Sequence, residues 1–364
     1  MPEDDLTASD PSSAASDEME RDGPEPSNSQ RTVRFVFFGA DGLRAGWSLL
    51  LFLLMVAGLF LSAQGLLRHG RNQRATSGAA VQRPEQSVTA AVRGDGVLFL
   101  IVGISSLAMS RIERRPLAAY GLGTTRGGVR QFVAGLLWGL IFLSLLVGVL
   151  RAGHLLVFDG RLLSGESVVR FGAEWAGGFL LVGLFEEYFL RGYLQFTLAR
   201  GFSGVYGVIS KSSHPDAVGF WTAAVLLSFV FGLGHGSNPG ESSIGLLTAG
   251  AAGLVFAFSL WRTGSLWWAI GFHAAWDWAQ SFLYGVADSG IMMQHHLFAS
   301  HPVGRPILSG GLTGPEGSVL VLVVLGLGLA AGVIRVTLVR VRVPGRSETA
   351  LLNGAAIPAR RHVR

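Results

Sequence analysis

The sequence predicts an all-α protein that crosses a membrane several times. Hydrophobic residues make up 49% of the 364 positions and charged residues only 15%, and the mean hydropathy is +0.44. Apolar runs of about 20 residues, the length of a membrane-spanning helix, recur along most of the chain. The alternating pattern of a membrane β-barrel does not occur. These observations exclude a soluble globular protein, a disordered chain and a coiled coil, and the absence of cysteine excludes disulfides and thiolate chemistry.

Taken in order along the chain, the apolar runs predict about eight helices. They are residues 44–67, 96–111, 129–150, 174–199, 219–236, 243–262, 264–285 and 318–340. The second is the shortest, because extending it backward meets Asp95 and Arg93. Frequent glycines inside the later spans suit close helix packing in lipid. Residues 153–172 are too few and too polar to cross, so we expect an interfacial loop there.

Polar tails are expected on both sides of a transmembrane domain at residues 44–340. Residues 1–30 hold nine acids against Arg21 alone, with many Ser and Pro, which predicts a disordered acidic tail within residues 1–43. This tail lacks the basic region of a signal peptide, and residues 341–364 form a basic tail. The arginines elsewhere stand at the ends of apolar spans, where lipid headgroups explain them better than nucleic acid does.

The charges of the loops predict an orientation. An even number of spans puts both termini on one side, and arginines follow both the second and the last span. The positive-inside rule therefore predicts cytoplasmic termini in a multi-pass protein of the plasma membrane. One loop disagrees, because the segment between the first two spans should lie outside and yet is basic. It carries Arg68, Arg71, Arg74, Arg83 and Arg93.

Six ionisable side chains fall inside three of the predicted helices. A charge at the bilayer centre costs about 2.5–3.5 kcal/mol on insertion scales. We therefore expect these groups to meet in one polar cavity with a function, the alternative being a purely structural polar network. The six residues are Glu186, Glu187, Arg191, His235, His273 and Asp277.

The spacing in the fourth predicted helix separates its charged residues. Glu187 and Arg191 stand at i and i+4 with the glutamate N-terminal to the arginine, the order that favours an ion pair. Glu186 is rotated about 100° from Glu187 around the helix. We therefore predict a buried structural pair of Glu187 with Arg191, and a Glu186 that is free for chemistry.

The other two helices each present an imidazole. His273 and Asp277 are also at i and i+4, so they share one face of the seventh predicted helix. Phe231 and His235 repeat that spacing on the fifth, which places an aromatic wall beside the second imidazole. Counted from the ends of their helices at about 1.5 Å per residue, Glu186 and His235 can lie at a similar depth. The polar side chains of the three helices can therefore meet.

These motifs resemble the CPBP intramembrane protease family. That family comprises type II CAAX prenyl endopeptidases and their bacterial relatives (Abi), including those linked to bacteriocin processing and self-immunity. The resemblance rests on Glu186-Glu187-x-x-x-Arg191, Phe231-x-x-x-His235 and His273-x-x-x-Asp277, in that order, each on its own predicted helix. It covers a core at residues 174–285. Arg115-Pro116-Leu117 and Gly121-Leu122-Gly123 also resemble the family's approach to its third helix.

The resemblance implies a glutamate-dependent peptidase inside a helical membrane core. Glu186 would be the general base that activates water, with His235 and His273 around that water or the developing oxyanion. At the position of Asp277 many members have Asn, and Asp also occurs. An ionised aspartate is a poor hydrogen-bond donor to an oxyanion, so Asp277 would orient His273 or take part in metal binding. By motif position, the catalytic residues would be Glu186, His235, His273 and Asp277, with Glu187, Arg191 and Phe231 in support.

The cofactor is left open by these residues. His235 and His273 with a carboxylate could hold Zn²⁺, which would make bound water a better nucleophile. The zincin signature His-Glu-x-x-His is absent, and a metal-free glutamate mechanism fits equally well. For the other histidines before the last helix we expect a solvated loop rather than a metal site. These are His295, His296 and His301.

The leading hypothesis is an intramembrane endopeptidase, of the metallo or the glutamate type, that acts on a membrane-associated or lipidated peptide. One alternative is a proton-coupled transporter that uses the Glu, His and Asp groups as a relay. It is disfavoured by the absence of internal repeats. The other is a non-catalytic membrane immunity or scaffold protein, which the intact motif set disfavours. The expected partners are membrane lipids and the peptide, and no nucleic acid.

Overall fold

The computed structural model describes residues 35–39, 42–71, 85–123, 126–210 and 213–330. The acidic segment at residues 1–30 and the basic tail at residues 341–364 lie outside these residues, so the domain bounds and the orientation stay predictions. The helices of the described part are α1 Ala45–Arg71, α2 Val88–Ile112, α3 Arg126–Ala152, α4 Glu166–Glu187, α5 Gln195–Ile209, α6 Pro215–Gly234, α7 Ser243–Thr263, α8 Trp267–Trp278, α9 Pro306–Ser309 and α10 Leu320–Ala330.

Six helical segments in this part of the chain are long and apolar enough to cross a membrane. They are Ala45–Leu66, Val88–Ile112, Gly127–Ala152, Glu166–Ile209, Pro215–Ser237 and Ser243–Thr263. The other two predicted helices are present as α8 and α10. α8 is too short to qualify, and the described part of α10 has only 11 residues. The predicted all-α membrane fold is therefore confirmed, with eight as an approximate number of spans.

α2 begins at Val88, earlier than the predicted start at residue 96. Ser87 caps the helix, because its hydroxyl accepts a hydrogen bond from the backbone N–H of Ala90 at 3.3 Å. The expectation that Asp95 limits this helix is therefore wrong. Asp95 lies inside the membrane-spanning segment instead.

Short strands accompany the helices outside the membrane-spanning segments. β1 (Phe38–Gly39) pairs with β2 (Gly42–Leu43) just before α1. β3 (Leu156–Arg161) pairs antiparallel with β4 (Phe298–Pro302), far along the chain. The segment predicted as an interfacial loop at 153–172 therefore contains a strand and the first turns of α4. This pairing ties the long connection between α8 and α10 to the chain between α3 and α4.

α8 lies at the centre of the fold and packs closely against α3. Glycines permit this approach, because a Cβ on Gly139 would collide with the carbonyl oxygen of Phe272, and one on Gly271 with that of Phe132. Such contacts between backbones are typical of helix packing in membranes. They bury α8, whose Trp268 is completely inaccessible to solvent.

Two π-helical segments interrupt the helices that carry the polar residues. Tyr188–Leu194 joins α4 to α5 and contains Arg191, and Ala279–Leu283 continues α8 just after Asp277. π-helical turns are rare and recur at functional sites. Their positions therefore agree with a site between α4 and α8.

Candidate active site

The four residues predicted as catalytic line one cavity of about 570 Å³. They are Glu186, His235, His273 and Asp277. Residues of α2, α4, α6, α7 and α8 form its walls, and many of them are apolar, such as Phe185, Phe189 and Val230. The structure thus brings the three motifs together in the interior of the helical bundle.

Glu187 connects two of these motifs. Its Oε1 accepts a hydrogen bond from Nη1 of Arg191 at 3.0 Å and lies 3.1 Å from Nδ1 of His273. The side chains of Glu187 and Arg191 are 0% and 1% exposed, so the predicted buried ion pair is present. An ionised carboxylate only accepts hydrogen bonds, so Nδ1 of His273 is the donor and its Nε2 is left for other partners.

Arg191 lies among aromatic rings and small residues. Its guanidinium is 4.2 Å from the centre of the Phe231 ring and 5.5 Å from that of Phe256, distances that favour cation–π attraction. A Cβ on Gly253 would lie 2.6 Å from Nη2 of Arg191. Phe231 therefore supports the arginine as well as the neighbouring imidazole, and Gly253 leaves the room that the arginine occupies.

Nε2 of His273 faces two further carboxylates. It lies 3.8 Å from Oε2 of Glu186 and 3.5 Å from Oδ2 of Asp277. Oε2 of Glu186 is buried and has no hydrogen-bond partner among the described residues. Both distances exceed a normal hydrogen bond, so a water or a substrate atom between these groups would connect them.

His235 is the second imidazole of the cavity and follows α6 in a 3-10 turn. Its Nδ1 lies 2.8 Å from the carbonyl oxygen of Phe231. Because a carbonyl only accepts, Nδ1 is the donor and Nε2 keeps its lone pair. Phe231 contacts the rings of both His235 and His273 edge-on, with centres 4.8 and 6.2 Å away.

Three acids that sequence reasoning does not assign to the site also line the cavity. They are Asp95, Asp288 and Glu316. Asp95 could be predicted from the sequence if Ser87 is recognised as a helix cap, because α2 then begins early enough to include Asp95. The other two lie in the connection between α8 and α10, where no local pattern predicts that the chain returns to the core.

Burial changes the protonation of the two acids in that connection. It raises the pKa of Asp288 well above its ordinary value, and the negative charges of Asp277 and Glu316 raise it further. Burial also raises the pKa of Glu316. The hydroxyl of Ser281 donates to Asp288 at 3.2 Å, and the backbone N–H of Ser289 donates to Glu316. The cavity therefore holds two carboxyls whose raised pKa makes them protonate more readily than exposed ones.

The remaining histidines of that connection do not line the cavity. His295 stacks on Phe171 with ring centres 4.1 Å apart. Nδ1 of His296 lies 2.9 Å from the carbonyl oxygen of Phe298. His301 makes a half-exposed contact with Asp159 at 2.8 Å. Each of the three therefore has its own local partner.

The arrangement of metal-binding side chains can be tested against zinc. Across residues 35–330, wherever the structure describes the chain, no three His, Asp or Glu side chains are placed to hold a metal ion. The Nδ1 atoms of His235 and His273 are engaged, so only their Nε2 atoms could serve as ligands. As placed here these residues do not form a zinc site. Zinc stays a prediction.

Comparison with protein families agrees with the motifs. Residues 169–279 match the family model described as type II CAAX prenyl endopeptidase Rce1-like. The chain thus contains an Rce1-like domain, and the resemblance stated from the three motifs is confirmed. The match runs from the first turn of α4 to the end of α8 and includes every residue predicted for the site. No curated protein and no solved structure matches the chain.

Proposed function

We propose that the cavity is the active site of an intramembrane endopeptidase that hydrolyses a peptide bond with water activated by Glu186. The Rce1-like domain supports a membrane-embedded protease of the CAAX type. One observation supports the mechanism most directly. Oε2 of Glu186 is buried without a hydrogen-bond partner among the described residues, 3.8 Å from Nε2 of His273. The side chain as a whole is 25% exposed and lines the cavity, so its carboxylate can take a proton from water there.

The first step is attack of water on the carbonyl carbon of the substrate. Glu186 takes one proton from that water as the new C–O bond forms. Nε2 of His235, which carries a lone pair, accepts a hydrogen bond from the second O–H of the water, which keeps that hydrogen, and so orients the water. Both side chains face the same cavity from α4 and the end of α6.

The second requirement is stabilisation of the oxyanion. His273 meets it as an imidazolium, in which Nδ1 donates to Glu187 and Nε2, also protonated, donates to the carbonyl oxygen as negative charge develops. Glu187 holds the ring through Nδ1, and the carboxylate of Asp277, 3.5 Å from Nε2, attracts the positive charge of the ring. The C–N bond then breaks, and the proton held by Glu186 passes to the leaving amine. The products are a carboxylic acid and an amine.

The substrate that suits this cavity is a membrane-associated or lipidated peptide. Many aromatic and aliphatic side chains line the cavity beside its polar groups, with Phe179, Phe185 and Phe189 from α4 and its π-helical continuation among them. Apolar side chains or a lipid group beside the scissile bond would bury against these walls. The hydrolysis proposed above uses only side chains of the protein and water.

The test uses the full chain in liposomes and internally quenched peptides with and without a farnesylated cysteine. Glu186→Gln should lower cleavage by about 10²–10⁴-fold with a melting temperature near that of the wild type. Glu174→Gln, on the exposed side of the same helix, is the matched control and should cleave normally. Unchanged cleavage by Glu186→Gln would refute the assignment of the base. Loss of wild-type cleavage with a chelator, restored by zinc, would refute the metal-free mechanism.

A further inference from the structure

An extended segment, Ile291–Gln294, lies on the wall of the cavity between the turn at Asp288 and the start of α4. Ser289, Ile291 and Met293 line the cavity, the alternation expected of an extended chain with one face toward it. The segment is held at both ends. Asp288 and Ile291 exchange two backbone hydrogen bonds of 2.9 and 2.8 Å, and the indole of Trp175 donates to the carbonyl of Gln294 at 2.8 Å.

One edge of this segment is paired with Gln86. The N–H of Gln86 donates to the carbonyl of Met292 at 2.8 Å, and the N–H of Gln294 donates to the carbonyl of Gln86 at 3.0 Å. This is a parallel bridge between Gln86 and Met293. In such a bridge the central residue directs its own N–H and C=O toward the opposite edge. Met293 therefore presents both groups on the side away from Gln86.

The backbone groups of Met293 are unpaired. Neither its N–H nor its C=O makes a hydrogen bond within the described residues, although the residue is only 7% exposed. Buried backbone groups in proteins are almost always paired. On the same edge Ile291 is already paired with Asp288, so Met293 offers the next position to one residue of another extended chain.

A protease inside a membrane needs such a position. A helical substrate hides its carbonyl carbons behind its own hydrogen bonds, and unwinding it in an apolar medium leaves backbone groups without partners. A fixed N–H and C=O at the wall of the cavity that holds the catalytic groups would satisfy part of the unwound substrate. Addition of a peptide to an open strand edge is a common mode of peptide recognition.

We propose that Met293 binds the substrate as an extended strand, through two backbone hydrogen bonds to one substrate residue. This inference rests on the proposed endopeptidase function. The pairing turns alternate substrate side chains into the cavity, as Ile291 and Met293 turn theirs. It also aligns the peptide with a segment that follows the turn at Asp288, a residue that lines the same cavity as Asp277.

The first test compares Met293→Pro with Met293→Ala. Proline removes the backbone N–H and keeps an extended φ, whereas alanine removes only the side chain. With the farnesylated, internally quenched peptide as the reporter, proline should raise KM about 2- to 12-fold more than alanine does, with kcat little changed. Equal KM values for the two variants would overturn the proposal.

The second test replaces each amide of the reporter peptide near the scissile bond, one at a time, by an ester that lacks the N–H. One ester position should raise KM by a similar factor with the wild type, because the ester removes the substrate N–H that donates to the carbonyl of Met293. Met293→Pro keeps that carbonyl, so the same ester should still raise KM in the variant. A scan with no sensitive position would overturn the proposal, and this scan decides alone if the proline variant does not fold.

The outcomes separate this proposal from the function on which it rests. If the wild type cuts no reporter, or if Glu186→Gln still cuts it, the proposed function fails and the strand proposal fails with it. Normal cleavage that depends on Glu186 together with a flat ester scan refutes only the role of Met293.

Discussion

Nδ1 of His273 and Oε1 of Glu187 lie 3.1 Å apart, although 86 positions separate the two residues along the chain. The contact joins α8 to α4 at the point where Glu187 also binds Arg191. The second glutamate of the motif therefore does more than pair with the arginine. It holds the imidazole whose other nitrogen faces Glu186 and Asp277.

Removing the charge of Glu187 should destabilise the protein more than removing that of Glu186. Glu187→Gln leaves Arg191 as a buried charge without its counterion, which typically costs about 3–5 kcal/mol, and it loosens His273. We expect a clearly lower melting temperature in detergent and a loss of peptide cleavage. Glu174→Gln removes one partner of an exposed pair with Arg170 and should change the melting temperature little. Equal melting temperatures for Glu187→Gln and Glu174→Gln would contradict the role of Glu187 as a bridge between Arg191 and His273.

Close packing of α3 on α8 predicts a strong effect of one methyl group. Gly139→Ala places a Cβ against the carbonyl oxygen of Phe272, so the helices must separate, at a cost of about 1–3 kcal/mol. Gly148→Ala, on an open face of the same helix, should instead stabilise it by up to about 1 kcal/mol. Thermal unfolding in detergent measures both. An unchanged melting temperature for Gly139→Ala would contradict the close approach of α3 to α8.

Asp277 is expected to tolerate asparagine better than alanine. The amide has the size of the carboxylate and can donate a hydrogen bond to the developing oxyanion. Alanine removes the group and should lower kcat by about 10²-fold. Cleavage of the farnesylated reporter by Asp277→Asn and Asp277→Ala compares the two. If asparagine is as harmful as alanine, the negative charge itself is required, for His273 or for a metal.

The stability of the protein should fall as the pH rises, in part because of Asp288. Its raised pKa means that the folded state holds this proton more tightly than the unfolded state does. The stabilisation is complete below the ordinary pKa of an aspartate and is lost as the pH rises through the raised value. Melting temperatures measured from the ordinary pKa of an aspartate up through the raised pKa of Asp288 should decline with pH. The decline should be shallower in Asp288→Asn.

The control for this experiment is Glu166→Gln, at the exposed start of α4. Its melting temperatures should decline with pH as steeply as those of the wild type. If the Asp288 variant keeps the full decline, the proton is held elsewhere in the cluster that also contains Asp277 and Glu316.

Much of the site was predictable because charges inside apolar runs are expensive and therefore informative. Glu186, His235 and His273 stand out in this way, and the i, i+4 spacing of Glu187 and Arg191 predicts their ion pair without any coordinates. Asp95 was accessible to the same reasoning. Only the cap at Ser87, which allows α2 to start at Val88, had to be recognised.

The sequence by itself determined that the chain is an all-α membrane protein with an Rce1-like core, because hydropathy and helical spacing act between residues close in the chain. Tertiary structure alone decided that Asp288 and Glu316 join the cavity, that Glu187 holds His273 and that the backbone groups of Met293 have no partner in the described part of the chain. These relationships join segments far apart in sequence. They depend on close approach of helices and on the return of a polar connection to the core, which no local pattern encodes.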